Sequence, residues 1–364
     1  MKIFHFSDSH LCTFENTSRE EDFYENFIRS IEAILTQKPD VVVHTGDLFH
    51  SPKPSNRAIS VVVEQFLRLE KAGIPLIIIA GNHDSPRLST TTHPFTIFES
   101  MDNISAIYEP NITSLEVKNI NFVMLPHIHD EALFGENFAK APELQEKNMP
   151  NIFLSHFGIS AKEYDEYTDE ISGINITTSQ LKILKSFDYV ALGHYHKQFC
   201  IGKICYPGSG EHTSFKQKTY KIGYNIFDTD SGKITHCELP TRVMLDIFFD
   251  AKDVNSTDDI LEKIAQKYEK TEFAAMVKIT LKNVGKELLL EFDEKKFLEY
   301  FEDAFYTEIR KIPAQNLSEI GQTYQASANF SQNFDIFFED YQKTADIKDA
   351  DVLKKSVQAL LSDI

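Results

Sequence analysis

Short apolar runs that break abruptly into polar clusters dominate the first half of the chain. Ile3-Phe4-His5-Phe6 leads into Asp8-Ser9-His10, Val41-Val42-Val43 into Gly46-Asp47-Leu48-Phe49-His50, and Leu76-Ile77-Ile78-Ile79 into Gly81-Asn82-His83-Asp84. Ile152-Phe153-Leu154 leads into Ser155-His156, and Tyr189-Val190-Ala191-Leu192 into Gly193-His194-Tyr195-His196. Runs of this length predict buried strands. Helical periodicity fills the gaps. Ser18-x-x-Glu21 predicts a capping box that opens a helix with Phe23, Phe27, Ile31 and Leu35 on one face. Residues 56–72 predict a second helix, ended by Gly73 before Pro75. Asn119 to Leu125 predicts a further core strand, residues 130–150 a helix-bearing connection, and the acidic stretch 160–178 a surface loop. The alternation of strands and helices predicts an α/β fold.

The second half changes character near Pro240. Tyr224 to Phe227 followed by Asp230-Ser231-Gly232 predicts a strand and hairpin turn. Beyond it, strands are expected at Val243 to Phe249, Ala275 to Leu281 and Glu287 to Phe292. Helices are expected at Thr257 to Tyr268 and over about 294 to 310. That is a small α+β module over residues 241–312. Residues 313–364 predict two amphipathic helices, one with Phe334, Phe337, Phe338 and Tyr341, the other with Leu353, Val357, Leu360 and Leu361.

In α/β sheets, sites form beyond the carboxyl ends of the strands. Five strands therefore deliver Asp8, His10, Asp47, Asn82, His156, His194 and His196 to one edge. Taken singly, Asp8-x-His10 and Gly46-Asp47 fit ordinary turns. An Asx-type turn at Gly81-Asn82-His83-Asp84 explains neither the histidine nor the strand before it. Together, oxygen and imidazole donors in this number suit two divalent ions and point to a binuclear metallohydrolase. His127 and His129 follow the strand ending at Leu125, but nothing in the sequence ties them to this set, and they are expected to be polar loop residues.

The order D-x-H, G-D, G-N-H-D, a lone His and G-H-x-H resembles the calcineurin-like metallophosphoesterases. Gly46 to Ser55 and Leu192 to Lys197, with Tyr206-Pro207-Gly208-Ser209 and Ser214-Phe215, resemble more narrowly the nuclease subunits of SbcCD-type break-repair complexes. The likeness covers roughly residues 1–230. It departs at Gly210-Glu211, where many relatives carry Pro, and at Lys216-Gln217, where an acidic residue often follows the Phe. The resemblance implies a β-sandwich flanked by helices, with a capping module and C-terminal helices. It implies a manganese-dependent DNA nuclease, exonuclease on duplexes and endonuclease on single strands. Asp47 is expected to bridge two ions. Asp8, His10 and His196 would complete one shell, and Asn82, His156 and His194 the other. His83 would stabilise the transition state or protonate the leaving oxygen, Asp84 would orient His83, and His50 would hold the substrate. The implied partners are DNA, a coiled-coil SbcC-type ATPase docked by the C-terminal helices, and a second copy of the chain.

Composition bears on the substrate. The 364 residues suffice for two domains and a tail, with 42% hydrophobic and 25% charged residues. No apolar run approaches the ~20 residues that span a bilayer. Asp8 comes too early for a cleavable leader, so cytoplasm is the expected compartment, where Cys12, Cys200, Cys205 and Cys237 would stay reduced. A net charge of −18 runs against a simple nucleic-acid binder. Residues 181–225, however, hold seven lysines and two acids. Lys53, Arg57, Arg87, Lys197, Lys216 and Lys218 are the candidate DNA contacts. Two other readings compete: a phosphoesterase acting on a small molecule or protein, and a metal-free scaffold. A serine/threonine phosphatase would carry Arg soon after Gly-Asp and Glu after Gly-Asn-His, where this chain has Leu48-Phe49-His50 and Asp84. An intact ligand set argues against the scaffold.

Overall fold

The computed structural model describes residues 1–88, 90–167, 173–254, 256–265 and 274–314. The helices expected within 331–364 lie outside the described residues. The chain divides into two compact units, Met1–Leu245 with Thr271–Met276, and Asp246–Lys270 with Val277–Ile364.

The first unit begins with β1 (Lys2–Phe6), α1 (Glu20–Gln37), β2 (Val41–His44), α2 (Asn56–Lys71), β3 (Leu76–Ile79), β4 (Ile104–Ile107), β5 (Thr113–Val117) and β6 (Ile120–Leu125). It continues through α3 (Glu131–Ala139), β7 (Asn151–His156), β8 (Gly158–Ser160), β9 (Asn175–Thr177), α4 (Leu181–Leu184), β10 (Tyr189–Gly193), β11 (Phe199–Ile201), β12 (Ile204–Tyr206), β13 (Gly223–Asp228) and β14 (Ile234–Glu238). Two six-stranded sheets form, in the orders β14-β13-β1-β2-β3-β4 and β11-β12-β10-β7-β6-β5.

Period-two geometry explains why the strands are apolar throughout. Ile3, Val41, Val43, Ile77 and Ile79 share a core with Ile120, Phe122, Met124, Ile152, Leu154 and Tyr189 of the other sheet. The alternate residues Phe4, Val42, Leu76 and Ile78 pack with Phe23, Phe27 and Ile31 of α1 and Val62 and Phe66 of α2. Val123, Phe153 and Val190 pack with Phe134 and Phe138 of α3. The result is the expected sandwich, with helices on both outer faces.

Several local expectations change. α1 starts without a capping box: Arg19 takes the cap position in helical conformation, with no side-chain cap. Ser18 offers its carbonyl, not its hydroxyl, to the Glu21 N–H. Buried Arg19 is instead committed to Asp22 and Glu211. The 160–178 stretch is not simply an exposed loop, because Tyr164, Ile174 and Ile176 are buried in the second sheet's outer core and β8 pairs with β9. Cys200 and Cys205 oppose one another across the antiparallel β11–β12 pair and are joined as a disulfide, against the expected thiols. Cys12 and Cys237 remain thiols.

The second unit holds α5 (Thr257–Ala265), α6 (Lys286–Glu291) and α7 (Glu294–Tyr300), with a sheet ordered β15 (Met244–Asp250), β16 (Met276–Val284), β17 (Tyr306–Pro313). The strand expected at Glu287 to Phe292 is helical. Its Leu-Leu-Leu run carries no period, and Lys, Glu and Leu favour helix. Only Leu288 of that run is fully buried. The helix expected to reach about 310 stops at Tyr300, and the β-branched and aromatic residues Tyr306, Thr307, Ile309 and Ile312 continue as β17.

Candidate metal centre

The loops after β1 and β2 are zipped together by backbone hydrogen bonds. Asp8 and His10 donate to the Gly46 and Asp47 carbonyls at 3.0 Å, Leu11 to Leu48 at 3.0 Å, and His50 back to Leu11 at 2.9 Å. This zipper holds Asp8, His10 and Asp47 at φ 51°, 47° and 54°, and His194 adopts φ 103°. Non-glycine residues there cost about 1–3 kcal/mol each, which the surrounding bonds must offset. Gly46, at φ 96°, meets the same demand without a side chain. At Gly81 any Cβ would overlap the Asp47 amide and carboxylate, so this glycine lets β3 reach the centre.

Asp84 fastens the third loop. Its carboxylate accepts the N–H groups of Phe49 at 2.8 Å, Gly81 at 3.0 Å and Leu48 at 3.2 Å. This corrects the expectation that Asp84 orients His83. The His83 ring donates through Nδ1 to the His50 carbonyl at 3.1 Å, and its backbone N–H goes to Asp47 Oδ1 at 2.8 Å. Asp84 lies too deep among backbone donors to serve a ring at the surface of the site.

The seven predicted ligand residues converge. His10 Nε2 lies 4.0 Å from Asp8 Oδ1 and 3.8 Å from Asp47 Oδ2. His196 Nε2 lies 3.9 Å from Asp8 Oδ1 and 2.9 Å from His10 Nε2. On the other side, His156 Nε2 lies 3.3 Å from Asp47 Oδ2 and 3.0 Å from Asn82 Oδ1. His194 Nδ1 reaches the same amide oxygen at 3.3 Å. Asp8, His10 and His196 form one group with metal-ligand spacing, and Asp8, Asp47 and His156 a second. His10, His50 and His83 form a third such group at the mouth. Atoms with lone pairs thus face one another in a buried place. Such a convergence requires positive charge among them, and the donor set fits divalent cations.

The electrostatics show the same demand. Burial disfavours charge on His156, yet the Asp47 carboxylate, with Asp8 behind it, carries its pKa up to about 10. A proton there stands in for a cation. Asp47 is held well below the usual carboxylate range, because the attraction of His156 and His10 exceeds the effect of burial. Burial pushes Asp8 well above that range despite the pull of His156. Burial also drives His10 well below its ordinary value and His196 to about 4, against the opposing pull of Asp47 on both. His194 falls to about 3 through burial and the charge on His156. Asp84 rises to about 7, first through burial and then through Asp47.

His50 and His83 stack at 4.9 Å, both edge-on to His10. They open onto a cleft of about 440 Å³, whose lining includes Asn82, Lys53, Arg87 and Leu88. Lys53 and Arg87 therefore stand beside the centre. Lys216 and Lys218 are exposed on either side of buried Gln217. Arg57 and Lys197 have partners of their own. Arg57 pairs with Glu21 and covers the Tyr24 ring, while Lys197 donates to the Glu166 carbonyl and lies over Tyr167.

Sequence reasoning misses the groups that set the rings. The Thr45 carbonyl accepts the His156 Nδ1–H at 2.7 Å, and Gln217 Nε2 lies 2.9 Å from His196 Nδ1. The Asp8 carboxylate accepts the His194 backbone N–H with both oxygens at 3.1 Å. His127, expected in a polar loop without ties, is instead buried, with its N–H on the Ala80 carbonyl, and feels the charge on His156. The available hint is its place directly after a core strand neighbouring β7.

Relatives place this architecture. The chain is 34% identical over 198 residues to the DNA double-strand break repair protein Mre11 of Sulfurisphaera tokodaii, covering 54% of this chain and 49% of that one. It is 28% identical over 286 residues to the Mre11 of Methanocaldococcus jannaschii, covering 72% of this chain and 73% of the relative. It is 29% identical over 291 residues to the SbcD subunit of the SbcCD nuclease of Staphylococcus saprophyticus, covering 74% and 76%. The match thus spans about half the length of the first of these relatives. The calcineurin-like phosphoesterase pattern matches residues 1–198, which include β1, β2, β3, β7 and β10 and the seven candidate ligands, and the chain belongs to that family.

Proposed function

We propose that this chain is a DNA nuclease that hydrolyses phosphodiester bonds with two divalent cations in double-strand-break processing. The observation that carries the reading is the convergence of two buried carboxylates, an amide and four imidazoles in a chain whose relatives bear the names of a break-repair protein and a nuclease subunit. Asp47 would be held in common by both ions, Asp8, His10 and His196 would hold one, and Asn82, His156 and His194 the other. Carboxylate, amide and imidazole donors without thiolate suit manganese. Bound there, the cations supply Lewis-acid charge to the phosphoryl group and generate a nucleophile at neutral pH.

The chain's own residues do the rest. The His50 carbonyl can only accept, so His83 Nδ1 keeps its hydrogen; in the doubly protonated ring Nε2 gives its proton to the leaving oxygen and the neutral Nδ1–H ring remains. The ring of His50, stacked on His83, holds the substrate phosphate against that nitrogen. Lys53 and Arg87 on the cleft, with Lys216 and Lys218, track the DNA backbone. Arg57 and Lys197 act there only if they leave their present partners. Residues 241–312 cap the nuclease domain of 1–240 and add DNA contacts. Residues 313–364 dock an SbcC-type coiled-coil ATPase, which adds DNA-binding surface to a chain with a net charge of −18. The working form is a homodimer in the cytoplasm. Among the described residues no helix is long and apolar enough to cross a membrane.

The test is manganese-dependent cleavage of DNA with defined ends, with and without the ATPase, beside release from a phenyl phosphodiester. Cleavage of DNA supports the nuclease. Turnover of the small ester alone assigns a phosphoesterase with a non-nucleic-acid substrate.

A further inference from the structure

Among the described residues of the first unit, Leu88 is the most exposed large apolar side chain, at 68%. A single exposed leucine needs no explanation by itself. This one is singled out by its place and its mounting. It lines the cleft of about 440 Å³ together with His83, Lys53 and Arg87. Pro52 and Pro86 add apolar surface, and among the described residues the lining holds no carboxylate. In a chain of net charge −18, such a cleft suits a ligand that is anionic on one side and apolar on the other.

The loop that carries Leu88 is pinned at Ser85. The Ser85 hydroxyl donates to the Gly81 carbonyl at 2.7 Å, and its own carbonyl lies 3.1 Å from His129 Nε2. Pro86 fixes the backbone that leaves this anchor. The Leu88 carbonyl then accepts the Thr91 N–H at 3.0 Å, which closes a turn. The leucine is thus presented from an ordered turn, and less entropy is lost when a ligand packs on it. The metal-ligand candidates lie deeper: Asp8, His10, Asp47, His156, His194 and His196 are each no more than 3% exposed. A strand whose phosphate reaches them brings the attached nucleotide into the cleft. A cleft of this size takes one nucleotide and not a base pair. At a duplex end the terminal pair therefore has to open, and an apolar group must replace the stacked neighbour.

We propose that Leu88 is a specificity-determining residue that selects an unpaired nucleotide at the centre. Its side chain packs against the base, while Lys53 and Arg87 take the phosphates on either side of it. On a paired end, the same contact offsets the cost of opening the last base pair. The contribution is that of one base-pair step, roughly tenfold. The inference rests on the nuclease reading of this site and adds to it the form of DNA that the cleft accepts.

Cleavage by the full-length chain in Mn²⁺ is compared at a fully paired DNA end and at an end with two unpaired nucleotides. Leu88→Ser is expected to lower the first rate roughly tenfold more than the second, and Leu88→Met to restore the ratio. A ratio taken on one sample does not depend on how much of the variant has folded. A second readout needs no cleavage. 2-Aminopurine in the terminal pair, whose emission rises on unstacking, is expected to brighten on the wild type with Ca²⁺ in place of Mn²⁺. It is expected to brighten less on Leu88→Ser at saturation. An unchanged ratio, or equal brightening by the two proteins, would overturn the assignment and leave the nuclease reading intact. A wild type that binds no DNA overturns that reading, and the assignment falls with it.

Discussion

The two sheets build their halves of the centre by different means. The first sheet contributes Asp8, His10, Asp47 and Asn82 from loops locked by backbone hydrogen bonds, left-handed residues and the buried Asp84 carboxylate. The second contributes His156, His194 and His196 at or just beyond strand ends. There, the far ring nitrogens of His156 and His196 are set by the Thr45 carbonyl and Gln217. Carboxylates are thus aimed by their own backbone, and two of the imidazoles by what lies behind them. Damage to the first half is expected to disturb fold and chemistry together, and damage behind the second to change metal affinity at constant fold.

The largest effect tests where the halves join. Asp47→Asn is expected to reduce metal-dependent hydrolysis to near background and to lower the bound metal, because a neutral amide holds two cations far less well. Near-normal activity in a pure sample would end the shared-ligand assignment. His83→Ala comes next, with a rate lower by roughly 10²–10⁴-fold and both ions retained. Metal analysis decides this one: loss of an ion would make His83 a ligand and draw the boundary of the first half differently.

Asp84→Ala separates fastening from chemistry. Three backbone N–H groups lose their acceptor, a loss on the order of 3 kcal/mol or more, read as a lower melting temperature. If Asp84 instead served His83, the variant would copy the rate of His83→Ala at unchanged melting temperature. The smallest effect concerns the seam between the sheets. His5 bonds to Tyr189 of one sheet and Thr45 of the other, and burial lowers its pKa to about 3. Its folded pKa lies below its unfolded value near 6.5, so its stabilisation is complete above pH 6.5 and shrinks as pH falls towards 3. Relative to His5→Gln, the wild type is expected to lose on the order of 3 kcal/mol of advantage between pH 7 and pH 4.5. Denaturant melts at the two pH values measure it, and a constant difference would mean that folded His5 accepts a proton.

The ligand strands are legible because each marks itself twice, by an apolar run and by the donor that ends it. Val41-Val42-Val43 can only be a buried strand in this context, and Asp47 can only follow it at the sheet edge. Asp84 sits in the same motif, yet its role is hidden there, because its partners Leu48 and Phe49 are more than thirty positions away. Gln217 and Thr45 are ordinary residues in the sequence and gain meaning only from the rings they meet. The same holds for Arg19. Its neighbours Asp22 and Glu211, with Arg242 bonded to Asp22 at 2.9 and 2.7 Å, form a buried charged cluster that no local pattern announces. Helix α6 is illegible for the opposite reason, since three adjacent leucines fit either period.

Asp47 rises from one sheet and His156 from the other, 3.3 Å apart at the open end of the sandwich. A cation held by these two residues would act as a rivet through both sheets. Its binding energy is then also energy of cohesion, added to the fold in proportion to the logarithm of free metal. Chelation would silence the chemistry and, in the same act, loosen the end of the sandwich that a substrate must enter.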